Sequence, residues 1–280
     1  MRAFGNFLAF LLLVFTLSAC FFRTDRYESE DHKVLPEIKK SGKTYLDKEL
    51  DKGDFIVRYE PARDFVEYQE KIRQEKLLEK AADKLNQLLI LPKDINIILK
   101  ECNESNSSYD SQTSSIVICL NMVRYFENLF LSETSDMDEA RQKAFDAMKF
   151  VFLHELGHAL IDVYELPIIG NEEDAADKLS SFICINKLGE EGIKAVLTAA
   201  EAFRIEAKKN KGVTDFSDEH LLSEQRFYNS LCLIYGFLPE KYAYLVNNKY
   251  LPASRASKCQ EEYARVVKSS IQLLSSWQKD

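Results

Sequence analysis

The sequence predicts a predominantly helical α+β domain, on three observations. Long stretches carry apolar residues at helical spacing, two short β-branched runs flank one polar stretch, and nothing marks a second domain. In chain order, residues 61–90 show heptad-like apolar spacing. Asn96-Ile97-Ile98-Leu99 and Ile116-Val117-Ile118 read as short strands around the polar residues 103–115, giving a small sheet near 94–120. Residues 121–131 form a short helix, 138–164 a long one and 171–187 another, and three or four more follow to Trp277. No internal repeat or low-complexity tract interrupts this order.

The flanks of the helix over 138–164 are apolar almost all round near 150–162, as in a helix buried in a core. Inside it lies His154-Glu155-Leu156-Gly157-His158. At about 100° per residue, and with His154 at zero, Glu155 falls near 100°, His158 near 40° and Asp162 near 80°. All four share one stripe. Polar groups left unpaired there would cost several kcal/mol, so the stripe demands something to bind. A divalent cation held by both imidazoles, with Glu155 beside them, meets that demand.

A catalytic zinc takes a third protein ligand and keeps one position open. Gly170-Asn171-Glu172-Glu173-Asp174-Ala175-Ala176-Asp177 reads as a glycine turn, an Asn N-cap and a helix with an acidic first turn. Glu173 and Asp177 lie four apart on one face, so Glu173 can bind the ion while Asp177 accepts from the far nitrogen of a ligand His. Glu172 and Asp174 are rival ligands, but four residues beyond Glu172 stands Ala176. The expected centre is Zn²⁺ on His154, His158 and Glu173, with Glu155 as general base for peptide hydrolysis. His220, Arg226 and Tyr228 are the candidates for stabilising a developing oxyanion. Residues 205–220, with Lys208, Lys209, Asn210, Lys211 and Gly212, read as a loop controlling access. Two other readings stand beside the peptidase: a metal-binding scaffold or inhibitor without turnover, and a zinc hydrolase of a non-peptide amide.

The order of these motifs resembles that of a bacterial metallopeptidase family of unknown function, related in plan to the zincins with a glutamate as third ligand. Gln225-Arg226-Phe227-Tyr228-Asn229 with Cys232, then Leu251-Pro252, Arg255-Ala256, Cys259 and Glu261-Glu262-Tyr263, resemble its C-terminal signature. Glu101-Cys102, Tyr109-Asp110 and Cys119 resemble an earlier part. The likeness runs from about Phe55 to the C-terminus. It implies a zinc peptidase with ligands at His154, His158 and Glu173 and the base at Glu155. It also implies a zincin-like fold with the sheet beside the metal helix, where an edge strand binds an extended peptide.

The amino terminus predicts export. Met1-Arg2 leads into an apolar run over 7–15 that is too short to span a bilayer comfortably, followed by Leu17-Ser18-Ala19-Cys20. Those four residues resemble a bacterial lipobox, so the expectation is a signal peptide over 1–19 and a lipidated Cys20. Phe21 is not an acid, which by analogy with enteric lipoproteins favours the outer membrane or cell surface. Residues 20–54 then form the lipidated N-terminus and a charged tether, or equally a loosely packed first part of the fold, and 55–280 a single domain. Removing residues 1–19, which hold only Arg2 as a charge, takes the formal net charge from −8 to −9. That balance argues against nucleic acid and leaves a peptide or protein substrate and the bilayer as partners.

Five cysteines remain besides Cys20, so at least one is unpaired within a monomer. Export makes disulfides plausible. Cys102 and Cys119 are placed to staple a hairpin of the two strands, Cys232 and Cys259 pair between helices, and Cys184 is left as a buried thiol.

Overall fold

In the computed structural model, residues 49–209 and 217–279 are described. The predicted signal peptide, Cys20, most of the tether, and Asn210, Lys211 and Gly212 of the predicted access loop lie outside them. The elements are β1 (Phe55–Tyr59), α1 (Val66–Gln74), α2 (Leu77–Leu88), β2 (Ile95–Lys100), β3 (Ser108–Asp110) and β4 (Ser115–Cys119). There follow α3 (Leu120–Leu131), α4 (Met137–Val163), α5 (Glu172–Lys187), α6 (Gly189–Lys209), α7 (Ser223–Phe237), the single turns α8 (Tyr244–Asn247) and α9 (Ala253–Ala256), and α10 (Cys259–Leu274). The fold is α+β and mainly helical, as the periodicity predicts. No helix among the described residues is long and apolar enough to cross a membrane.

The sheet has the order β1-β2-β4-β3. β1, β2 and β4 run parallel, and β3 is an antiparallel edge strand. Along β2 burial alternates: Ile95, Ile97 and Leu99 are fully buried, in register with Phe55, Val57 and Tyr59 on one side. Ile97 and Leu99 pair with Ile116 and Ile118 on the other side.

This corrects two expectations. The strands at 95–100 and 115–119 are not a hairpin, because parallel neighbours need a crossover; the hairpin is β3–β4, turned by Asp110, which accepts from Gln112 N and Thr113 Oγ1. Cys102 and Cys119 do form a disulfide, and it joins the ends of two parallel strands instead. The helical stretch over 61–90 is also broken, where Lys76 adopts φ 51° between α1 and α2. The segment read as the end of the tether is bonded to the domain: Lys52 N and Gly53 N donate to Leu91 O, and Asp51 Oδ1 accepts from Leu91 N.

The long helix α4 forms the centre of the core. Asp136 caps it by accepting from Asp138 N and Glu139 N, and Asp138 and Glu139 suit the positive end of its dipole. It stops where Glu165 takes φ 48° and Leu166 N closes back on Ile161 O, just before Pro167. Between those ends it is buried on nearly every side, against α3, α5 and α6. Burial of Phe150, Leu153, Leu156 and Leu160 stabilises it by roughly 1.5–3 kcal/mol for each side chain.

Candidate metal centre

Two turns of α4 and the first turns of α5 build the site. His154 and His158, one turn apart on α4, bring their Nε2 atoms to 3.2 Å from each other. Glu173 Oε2 lies 3.0 Å from His154 Nε2 and 3.2 Å from His158 Nε2. The helices reach this separation because Gly157 faces Ala176: a Cβ on Gly157 would sit 3.1 Å from Ala176 Cα. Ser180 Oγ, fully buried, donates to Phe150 O across the same contact. Asn171 starts α5 by accepting from Asp174 N through Oδ1, after Gly170 turns the chain with φ 107°.

One ligand atom each from His154, His158 and Glu173 can lie within 4.8 Å of the others, and this group fits a metal ion. Ligands at about 2.1 Å from a tetrahedral zinc stand about 3.4 Å apart, close to the separations here. Two imidazoles and one carboxylate are also the donor set of a catalytic site with an open position.

Each imidazole is fixed from behind. His154 Nδ1 donates to Asp177 Oδ1 at 2.8 Å, and His158 Nδ1 donates to Glu172 Oε1 at 2.8 Å. Arg226 supports Asp177 in turn, with Nε on Oδ2 at 2.7 Å and Nη2 on Oδ1 at 2.8 Å, while its guanidinium lies 4.2 Å above the ring of Phe203. His220 enters from the segment after α6. Its Nε2 lies 3.0 Å from Glu173 Oε2, its Nδ1 3.2 Å from Asp218 Oδ1, and its ring stacks with His154 at 6.0 Å. Asn171 Nδ2 donates to Glu219 O at 2.6 Å and so ties that segment to the start of α5.

Charges follow from these contacts. Burial lowers the proton affinity of His154, but the hydrogen bonds to Asp177 and Glu173 outweigh it and hold the imidazole at about 9. Burial would raise the Glu173 and Asp177 carboxyls. Three imidazoles overcome that at Glu173, and Arg226 with His154 overcomes it at Asp177, so both are held well below the usual range. Glu155 is the exception: burial pushes its carboxyl up and the charges of His154 and His158 only partly offset this.

His154, Glu155, His158, Glu173, Asp177, His220 and Arg226 therefore converge, and Tyr228 does not. Its ring packs on Phe227, and it lines a separate surface groove with Pro252 and Arg255. Arg226 has Nε and Nη2 committed to Asp177. Asp162 leaves the stripe and accepts from Tyr109 OH at 2.7 Å and Lys93 at 3.3 Å, tying α4 to edge strand β3. Sequence reasoning weighs Glu172 only as a rival ligand and misses both its bond to His158 and the bond from Asn171 to Glu219. A cleft of about 630 Å³ opens beside His154 and Glu155, with His220 on one wall and Phe150, Met122 and Phe203 on others.

The residues that carry the C-terminal resemblance brace α7, the helix that holds Arg226 in its first turn. Cys232 is bonded to Cys259, Arg255 forks onto Glu262 at 2.8 and 2.7 Å, and Arg255 Nη2 reaches Asn229 at 3.2 Å. Among the described residues Cys184 is the free cysteine, and it is buried.

A family model described as a putative metallopeptidase matches residues 59–274. No curated protein and no solved structure matches the chain. A metal is implied by that description, and the His154, His158 and Glu173 cluster lies inside the match. The match spans most of the chain, which belongs to this putative metallopeptidase family.

Proposed function

We propose that the protein is a zinc-dependent peptidase held at a bacterial membrane surface, with Glu155 as its general base. The observation that carries this reading is the convergence of His154 Nε2, His158 Nε2 and Glu173 Oε2 beside a buried carboxylate in an open cleft. His154, His158 and Glu173 would hold the ion. A zinc ion there supplies a Lewis acid that polarises a peptide carbonyl and acidifies a water molecule.

Glu155 does the proton work. Burial raises its carboxyl above the ordinary range, which brings a base closer to working pH. It takes the proton from the attacking water, holds it, and returns it to the departing amine. His220 lines the cleft beside the ligand set, with Asp218 on its Nδ1 and its Nε2 3.0 Å from Glu173 Oε2; with Glu173 engaged on the ion, that Nε2 would be the candidate to donate to the carbonyl oxygen as negative charge builds there. Asp177 and Glu172 fix which ring nitrogen of each histidine faces the ion. The strand β3, at the edge of the sheet among the described residues, is where an extended peptide would add. An inert scaffold would gain nothing from burying Glu155.

Attachment to the membrane rests on the sequence Leu17-Ser18-Ala19-Cys20, through acyl chains on Cys20. The test is zinc content of the purified protein with Glu155→Gln and Glu173→Ala beside it, and peptide-library cleavage on the same samples. About one zinc per chain is expected, kept in Glu155→Gln and weakened in Glu173→Ala, with cleavage lost in both. Failure to take up zinc on reconstitution overturns the reading.

A further inference from the structure

We propose that the cavity between α5, α7 and α10, behind the metal centre, is a second ligand site for a small amphipathic carboxylate. It has a volume of about 520 Å³, in the range of small-molecule sites. Helical spacing explains its position. Ser181 lies four residues after Asp177 on α5, and Ser230 four after Arg226 on α7, so each stands one turn beyond a member of that ion pair and on the same face. Ser270 comes from α10, and all three serines line the cavity with Asp177 and Arg226. The site is separate from the catalytic cleft, and its existence does not depend on what the metal centre does.

The three serines point to a ligand. Ser181, Ser230 and Ser270 are only 2%, 5% and 4% exposed. None of their hydroxyls has a hydrogen-bond partner among the described residues, whereas Ser180, next to Ser181, donates to Phe150 O. Nor are these oxygens sealed in: the fully enclosed side-chain oxygens without a partner, among the described residues, belong to Asn96, Tyr164 and Tyr242. Each serine hydroxyl therefore opens on the cavity that its residue lines. Alanine serves helix packing better at such positions, because a buried hydroxyl without a partner costs stability. Three hydroxyls from three helices facing one space are matched by a guest that accepts hydrogen bonds.

Charge and the remaining wall set the class of that guest. Four cations, Lys178, Arg226, Arg255 and Arg265, line the cavity against three carboxylates, Asp174, Asp177 and Glu262. Arg226 and Arg255 each fork onto one of these carboxylates, Asp177 and Glu262, and Lys178 bonds Asp174. Arg265 is different: it pairs with Glu261, which is not part of the wall, and both side chains are mostly exposed. Such a surface pair contributes little, so Arg265 can turn to an incoming carboxylate. Ile168, Val266 and Leu273, partly buried aliphatic side chains of the same walls, suit a guest with an apolar body.

The test separates this cavity from the metal. The zinc-loaded full-length protein is titrated by calorimetry with N-acetyl-leucine, its neutral amide and inorganic phosphate. N-acetyl-leucine is expected to bind at least about tenfold more tightly than the amide, which lacks the charge, or phosphate, which lacks the apolar body. Arg265→Gln should weaken N-acetyl-leucine by about fivefold or more. Ser270→Leu, which fills the cavity from α10, and Ser230→Leu, which fills it from α7, should abolish its binding. Circular dichroism establishes which variants fold, and the exposed site of Arg265 keeps one variant available where filling disturbs packing. No binding by any probe overturns the site, as does wild-type affinity in Arg265→Gln and in the filled variants that fold. Binding that disappears on zinc removal and ignores all three substitutions places the carboxylate on the metal and overturns the site too. Equal affinity for the amide or for phosphate overturns the class of ligand.

Discussion

Arg226 and Asp177 face each other through two parallel hydrogen bonds, Nε to Oδ2 at 2.7 Å and Nη2 to Oδ1 at 2.8 Å. Asp177 Oδ1 also accepts from His154, so a guanidinium on α7 sets the orientation of an imidazole on α4. Arg226→Met would leave a carboxylate in an apolar setting without its counter-charge. The expected result is a loss of about 3–5 kcal/mol in urea unfolding and a ten- to hundredfold loss of zinc affinity by chelator competition. Asp177→Asn combined with Arg226→Met should cost less than the sum of the two single changes.

Glu172 supports the second histidine from a more exposed position, with about half of its side chain accessible. Glu172→Ala should therefore weaken zinc binding by about tenfold, the lower end for such partners, and by less than Asp177→Ala does. Glu172→Gln keeps an oxygen acceptor for His158 Nδ1 and should restore most of the loss. Chelator competition across the three variants checks the order.

Asn171 performs two tasks with one amide: Oδ1 caps α5 and Nδ2 holds Glu219 O beside His220. Asn171→Asp keeps the acceptor and removes the donor. It should leave thermal stability and zinc content close to wild type while lowering kcat for a cleaved peptide by about tenfold or more. Asn171→Ala also loses the cap, at about 1 kcal/mol. A fall in zinc content equal to the fall in kcat for Asn171→Asp would reject the separation.

Asp146 gives a pH prediction away from the site. Burial would raise its carboxyl, but hydrogen bonds from Lys194 at 2.7 Å and Lys149 at 3.1 Å outweigh that and leave it below its ordinary value. A group depressed on folding adds stability above its unfolded value, about 3.9, and loses it as pH falls through the lower folded value. Asp146→Asn should be less stable than wild type by about 1–3 kcal/mol at pH 7, with the gap narrowing toward pH 3 in urea titrations.

Gly157→Ala sets helix propensity against helix approach. Alanine favours α4 by up to about 1 kcal/mol, yet its Cβ would press on Ala176 Cα at 3.1 Å. Moving α5 outward by a few tenths of an ångström carries Glu173 away from both histidines. Zinc affinity should fall even where the melting temperature holds, and chelator competition beside a thermal melt separates the two.

Much of the fold was legible because helical burial writes a period into the chain. Residues 138–164 and 171–187 were bounded to within a residue or so, and the Glu173–Asp177 spacing brings both carboxylates to His154 as one helix face requires. Strand direction was not legible. The runs at 96–99 and 116–118 carry the same apolar content in either direction, and only the position of β3 between them makes their pairing parallel. Phe55–Tyr59, where Arg58 interrupts the apolar run next to the charged tether, did not announce a strand. Arg226 looked like a group free to act on a substrate because its distance from Asp177 along the chain, 49 residues, hides the contact. Local spacing records which residues share a helix face; pairings between distant segments leave no such trace.

The Cys232–Cys259 bond fastens α7, with Arg226 near its start, to α10. The outermost support of the metal centre is therefore oxidised sulfur, and the oxidation state of a sample becomes a variable of any assay on it. Protein made in a reducing cytosol would carry His154 behind a looser Arg226–Asp177 pair. Poor zinc retention in such a preparation would record where the chain was folded before it said anything about what the chain does.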